Sequence, residues 1–136
     1  MNAPGKSNFV RDQLPAILWA FLIFLLSSIP ADLIPLPNIF QFDKVIHIGI
    51  FFFFGLFIYR AYNLFWTQSS FSFSRALATL LTVTIYGILD EFHQKFVPGR
   101  TPDVWDATAD TTGGIFAIVL IFILITKKSR RQPTES

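Results

Sequence analysis

Four runs of apolar residues, each nearly free of charge, constrain this chain more than anything else in it. They are Leu14 to Ser28 (LPAILWAFLIFLLSS), Val45 to Tyr59 (VIHIGIFFFFGLFIY), Ala76 to Leu89 (ALATLLTVTIYGIL) and Thr111 to Ile125 (TTGGIFAIVLIFILI). A soluble domain carries about 25% charged residues. Here the share is 15% and falls almost wholly outside the runs. The pattern predicts an all-α membrane protein built as a bundle of four transmembrane helices, since a helix satisfies its own backbone hydrogen bonds in lipid. Each run is shorter than the roughly 20 residues that cross a bilayer. Polar residues at the run ends are therefore expected at the interface.

One membrane domain, residues 14–126, is expected between an N-terminal tail, 1–13, and a basic C-terminal tail, 127–136. Lys6 and Arg11 precede the first run, as in a secretory signal. The following SSIPAD, however, sets Ile29 and Pro30 where cleavage prefers small residues, so a retained helix is expected. The chain has no cysteine, which excludes disulfides, thiolate metal sites and cysteine nucleophiles. A net charge of +2 does not call for nucleic acid, because the basic residues cluster at loops and tails as membrane topology requires.

Those basic residues also predict orientation. Lys6 and Arg11 precede the first run, Arg60 and Arg75 flank the second loop, and Lys127, Lys128, Arg130 and Arg131 follow the fourth run. Acids outnumber bases in the first and third loops. The positive-inside rule puts both termini in the cytoplasm and those two loops outside. Asp43, Lys44 and His47 then share one membrane face with the stretch DEFHQKFVPGRTPDVWD, residues 90–106. The aromatics of NLFWTQSSFSFSR, residues 63–75, fall on the opposite face as interfacial anchors.

The spacings sharpen this convergence. Asp43 and His47 stand four apart, Lys44 and His47 three apart, and Asp90 and Gln94 four apart, so each pair shares a helix face. Glu91 follows Asp90 and points elsewhere. Pro98 and Gly99 punctuate the end of the third helix. Asp103, Asp106 and Asp110 then fall on one face of a helix entering the fourth span. Gly113 and Gly114 permit a close helix neighbour. Lys44, Arg100, a protonated His47 or a bound metal can serve as the cation among the three acids, and Arg100 is the best internal candidate, because a guanidinium stays charged and pairs bidentately with carboxylates. A lipid phosphate is an equally good partner for it. Capping is the ordinary use of an Asp at a helix start and accounts for Asp43, Asp103 or Asp106 taken singly. It accounts poorly for the whole set, since ionisable groups at a membrane boundary are expensive. The acids also suit a divalent metal, with Asp103, Asp106 and Asp110 as candidate ligands. No HExxH is present, and no GxSxG surrounds Ser27 or Ser28. General acid–base work is open to His47, Asp43, Asp90 and Glu91.

DKVIHIGIFFFFG and DEFHQKFVPGRTPDVWDATADTTGG resemble the two signature blocks of the VanZ-like family of small bacterial membrane proteins. The resemblance runs from Asp43 to Gly114. It rests on Asp43, Lys44, His47 and Gly55, then on Asp90, Glu91, Gln94, Phe96, Pro98, Gly99 and Arg100. Asp106 and Gly113 or Gly114 complete it. Phe51 stands where many members have Tyr, and Asp110 where Asn is usual. The family takes its name from a protein of teicoplanin resistance, so the resemblance implies a cell-envelope role in the bacterial inner membrane.

Three functions are open on these residues. In the first, an outward-facing pocket holds the headgroup of a phospholipid or lipid-linked envelope precursor, through Lys44, Gln94, Arg100, Asp106 and Asp110. In the second, the same residues form an interhelical network that locks an assembly subunit. The third is a metal-assisted membrane hydrolase or transferase.

Overall fold

A computed structural model of the chain describes residues 8–33, 39–62 and 70–131. Lys6 and the aromatics at 63–69 lie outside the described residues. Among the described residues five α-helices succeed one another: α1 (Phe9–Asp12), α2 (Leu14–Ser27), α3 (Ile39–Ala61), α4 (Phe73–Gln94) and α5 (Val104–Arg131). No strand occurs among the described residues. Four stretches of the described residues are long and apolar enough to cross a membrane: Phe9–Ser27, Phe42–Ala61, Phe73–Gln94 and Val104–Arg131. At about 1.5 Å per residue, the 22 residues of α4 extend about 33 Å, close to the thickness of a hydrocarbon core.

The helices run longer than the apolar runs. The first span begins at Phe9, ahead of Leu14, with the Asn8 side chain accepting from the Val10 N–H as its cap. The last helix begins at Val104, ahead of Thr111, and continues through Lys127 and Lys128 to Arg131. Polar turns at both ends of α5 fall outside an apolar count yet extend the same helix.

Burial is inverted relative to a soluble protein. Leu77, Leu81, Ile85, Ile88 and Phe92 recur at helical spacing on the outer face of α4, and all are exposed. The inner face of that helix buries Thr79, Asp90, Glu91 and Gln94. An outward apolar stripe over a polar interior is what a hydrocarbon solvent selects. The small apolar core comprises Ile23, Phe51, Phe54 and Val83, with Trp19 and Tyr86 against it. α2 is pinned to this core by two indole and phenol bonds. Trp19 Nε1–H donates to the Ile50 carbonyl (3.0 Å), and the Tyr86 hydroxyl donates to the Ala20 carbonyl (2.7 Å).

α3 and α5 pack closest, and glycine permits it. A Cβ on Gly113 would stand 2.8 Å from the Phe52 nitrogen and nearer still to the Ile48 carbonyl oxygen. No side chain fits against that backbone, so Gly113 sets the α3–α5 separation.

Successive spans alternate in direction. The Gln13 amide donates to the Ala61 carbonyl (2.6 Å), and Phe71 meets Phe122 edge-on at 5.1 Å. These contacts gather the starts of the first and third spans and the ends of the second and fourth at one end of the bundle. The opposite end gathers the end of α2, the start of α3, the end of α4 and the start of α5.

Candidate functional site

That second end holds both polar blocks. Asp43, Lys44 and His47 project from the first turns of α3, Asp90, Glu91 and Gln94 from the last turns of α4, and Asp103, Asp106 and Asp110 from the start of α5. The helix directions alone bring them together, and the close approach at Gly113 brings α3 and α5 within side-chain reach.

The Lys44 ammonium donates to Asp103 Oδ2 (2.7 Å) and to Asp106, and Asp43 Oδ2 stands 3.7 Å away. His47 Nδ1 pairs with Asp110 Oδ1 at 2.8 Å, and its Nε2 lies 3.8 Å from Asp43. The Gln94 amide donates to Asp90 Oδ2 (3.0 Å) and more weakly to Glu91 Oε1 (3.3 Å). Glu91 Oε2 accepts the Asp103 backbone N–H (2.8 Å). Asp90, Glu91, Asp106 and Asp110 are all buried. Burying a carboxylate is costly unless it is paired, and most of these bonds provide that pairing.

Asp103 performs two tasks. Its Oδ1 accepts the Trp105 N–H (2.9 Å) and its carbonyl accepts from Asp106, so it caps α5. The Lys44 ammonium, assisted by that Trp105 N–H, holds the Asp103 carboxyl below the usual carboxylate range. Capping and ion pairing are therefore not alternatives at this position.

Several expectations need correction. Arg100 is not the cation among the α5 acids; Lys44 is. Gly99 adopts a φ of 74°, and the Pro98 carbonyl accepts the Ala31 N–H (3.2 Å). The α4–α5 loop is thereby docked on the residues after α2, and Arg100 Nε–H donates to the Ile29 carbonyl (3.2 Å). Of the residues expected to hold a headgroup, Gln94 and Arg100 line the cavity described below, while Lys44 pairs with Asp106 and Asp110 with His47. Asp103, Asp106 and Asp110 do not share one metal position either. Among the described residues, the compact carboxylate–imidazole groups are Asp43–His47–Asp106 and His47–Glu91–Asp110. Glu91 does not point away from its neighbours, because the Gln94 amide reaches it as well as Asp90.

Beside this network lies a cavity of about 290 Å³ between α2, α3, α4 and the loop at Arg100. Ile23, Leu26, Ile29, Ile46, Ile50 and Phe51 form its apolar wall, and Ser27, Asp43, His47, Asp90, Gln94 and Arg100 its polar wall. Phe51 is 1% exposed and contributes a ring without a hydroxyl. Sequence reading passed over two neighbours. His93 Nε2 meets the Ser28 hydroxyl at 3.0 Å, with the Phe24 ring 4.8 Å from its own. Gly87 makes room for Asp110, whose Oδ2 would stand 2.8 Å from a Cβ there. His93 sits in the DEFHQ block, and its place two residues past Glu91 was the available signal. Nothing in the sequence marked Gly87.

The fold and site define a multi-pass helical membrane protein with a polar cluster and an amphiphilic cavity at one end of the bundle. The chain belongs to the VanZ/LLP1 family, whose model matches residues 13–125. It is also similar to the uncharacterized protein C11E3.10 of the fission yeast Schizosaccharomyces pombe. The two are 32% identical over 127 residues, a match covering 88% of this chain and 70% of the relative. No solved structure matches the chain significantly.

Proposed function

We propose that the cavity holds the headgroup of a membrane lipid, with the acyl chains leaving along the apolar wall. The observation that carries this reading is the division of one cavity into an isoleucine- and leucine-rich wall and a wall of Asp43, His47, Asp90, Gln94 and Arg100. Ligand sites combine apolar lining with a few placed polar groups in this way. Arg100 is the cation suited to a phosphate, since Lys44 is held by Asp103 and Asp106. Asp43 and Asp90 favour a positive group beyond that phosphate. The chemistry that fits is a zwitterionic headgroup, an aminoalkyl phosphate such as phosphoethanolamine. Basic residues near Arg11, Arg60 and Arg131 favour cytoplasmic termini and a pocket on the outer face of the plasma membrane.

The interhelical-lock reading has its own support in the Lys44–Asp103–Asp106 contacts, which join α3 to α5 and do not line the cavity. Lock and pocket are adjacent parts of one cluster.

The test is binding of short-chain phosphatidylethanolamine to the purified protein in detergent, followed by native mass spectrometry. Phosphatidylglycerol and phosphatidic acid serve as anionic comparisons. Arg100→Ala and Asp90→Asn are each expected to weaken phosphatidylethanolamine binding about tenfold or more, as loss of a charge-assisted bond does, while leaving the melting temperature near that of the parent. Equal binding of all three lipids, or binding indifferent to both substitutions, rejects the pocket.

A further inference from the structure

We propose that His47, Glu91 and Asp110 form a binding site for one divalent first-row cation of the manganese or zinc type, between α3, α4 and α5. One ring nitrogen of His47 and one carboxylate oxygen each from Glu91 and Asp110 lie within 4.8 Å of one another. Ligands about 2.0–2.2 Å from a common ion stand roughly 3–4 Å apart, so modest side-chain movement closes the set.

A second observation is independent of that clustering. Asp110 is fully buried, and its Oδ2 has no hydrogen-bond partner, while Oδ1 is taken by His47. The unpartnered oxygen rests against α4 at Gly87, one turn before Glu91 on the same helical strip. An unsatisfied buried polar atom is costly, and a cation shared with Glu91 offsets that cost.

The donors select the ion. One imidazole with two carboxylates suits manganese or zinc, whereas calcium takes six to eight oxygens. Glu91 is already held as metal ligands commonly are, by Gln94 Nε2–H on one oxygen and the Asp103 N–H on the other. The neighbouring group Asp43–His47–Asp106 is the poorer choice, because the Lys44 ammonium occupies Asp106. On binding, the ion replaces the proton shared between His47 Nδ1 and Asp110 Oδ1, and that proton leaves to solvent. His47 also lines the cavity, so the ion sits in its wall. The site requires no lipid and stands or falls apart from the headgroup reading.

Full-length protein in detergent, stripped with EDTA and returned to metal-free buffer, is titrated with MnCl2 and, separately, ZnCl2. Loss of the free Mn²⁺ resonance and elemental analysis read the bound ion. The expected result is saturable binding of one ion per chain, weakened about tenfold or more by Glu91→Gln and by Asp110→Asn. Asp32→Asn, at an exposed position outside the cluster, should leave it unchanged. Absence of saturable binding of either ion overturns the proposal, as does binding that survives both substitutions in variants that keep their helical circular dichroism. If those variants fail to fold, the parent decides: bound Mn²⁺ must show nitrogen hyperfine coupling that persists in His93→Gln. A spectrum without that coupling rejects the site.

Discussion

At one end of the bundle a single buried acid, Asp12, meets two arginines. Arg11 Nε–H donates to its Oδ1 at 3.0 Å and Arg60 Nε–H approaches at 3.4 Å. Both guanidiniums are about half exposed, so water shares the work of solvating them. At the other end six carboxylates, Asp43, Asp90, Glu91, Asp103, Asp106 and Asp110, cluster with Lys44, His47 and Arg100. The first arrangement is complete within the chain and staples α1 to α3. The second has more acids than cations and leaves one buried oxygen unpartnered. Ion pairs of similar length therefore serve different ends, and the balance of charge separates a staple from a site.

The sharpest way to break the comparison is to separate α3 from α5. Gly113→Leu forces a side chain into the Ile48–Phe52 backbone and is expected to cost about 3 kcal/mol or more. Thermal unfolding in detergent reads the loss. Parent-like stability would remove the close approach as the basis of the site.

Lys44→Met should come next in size, because it strands Asp103 and Asp106 together. Fully buried pairs lose about 3–5 kcal/mol when one partner is removed. The Lys44 side chain is 42% exposed, which lowers the expectation to about 2 kcal/mol. Urea unfolding of detergent-solubilised protein can measure it.

Asp12→Asn tests the other end and should be milder, about 1 kcal/mol, since its half-exposed arginines rehydrate. A cost exceeding that of Lys44→Met would invert the contrast between the two ends.

The smallest effect is a pH dependence at Asp103. Lys44 depresses the folded pKa of this carboxyl, so its stabilisation is present above the unfolded value near about 3.9. It is lost as pH falls through the folded value. The melting-temperature gap between the parent and Asp103→Asn should hold from neutral pH to mildly acidic buffer and shrink below about pH 4. A gap that stays constant to lower pH would show that the gap does not come from the Asp103 charge beside Lys44.

Much of this was legible in the chain itself. Uncharged apolar runs determined four spans, because hydrocarbon admits a backbone only when it is hydrogen-bonded to itself. Their even number and alternating direction determined that DKVIH and DEFHQ meet at one end, and Gly113 was recognisable as a close-contact residue. The pairing of the charges was not legible. Lys44 and Arg100 are equally cationic in a string of letters, and which one reaches the α5 acids depends on how α3 rotates and where the loop turns. The positive φ at Gly99 and the Ala31–Pro98 bond carry Arg100 to the α2 side, leaving the acids to Lys44. Likewise, the i, i+3, i+7 spacing of Asp103, Asp106 and Asp110 defines a common helix face but not a common partner. Only the tertiary structure sends two of them to Lys44 and seats the third beneath His47 against Gly87. Periodicity reports what one helix presents, whereas pairing depends on the separation and rotation of several helices, which short-range packing sets.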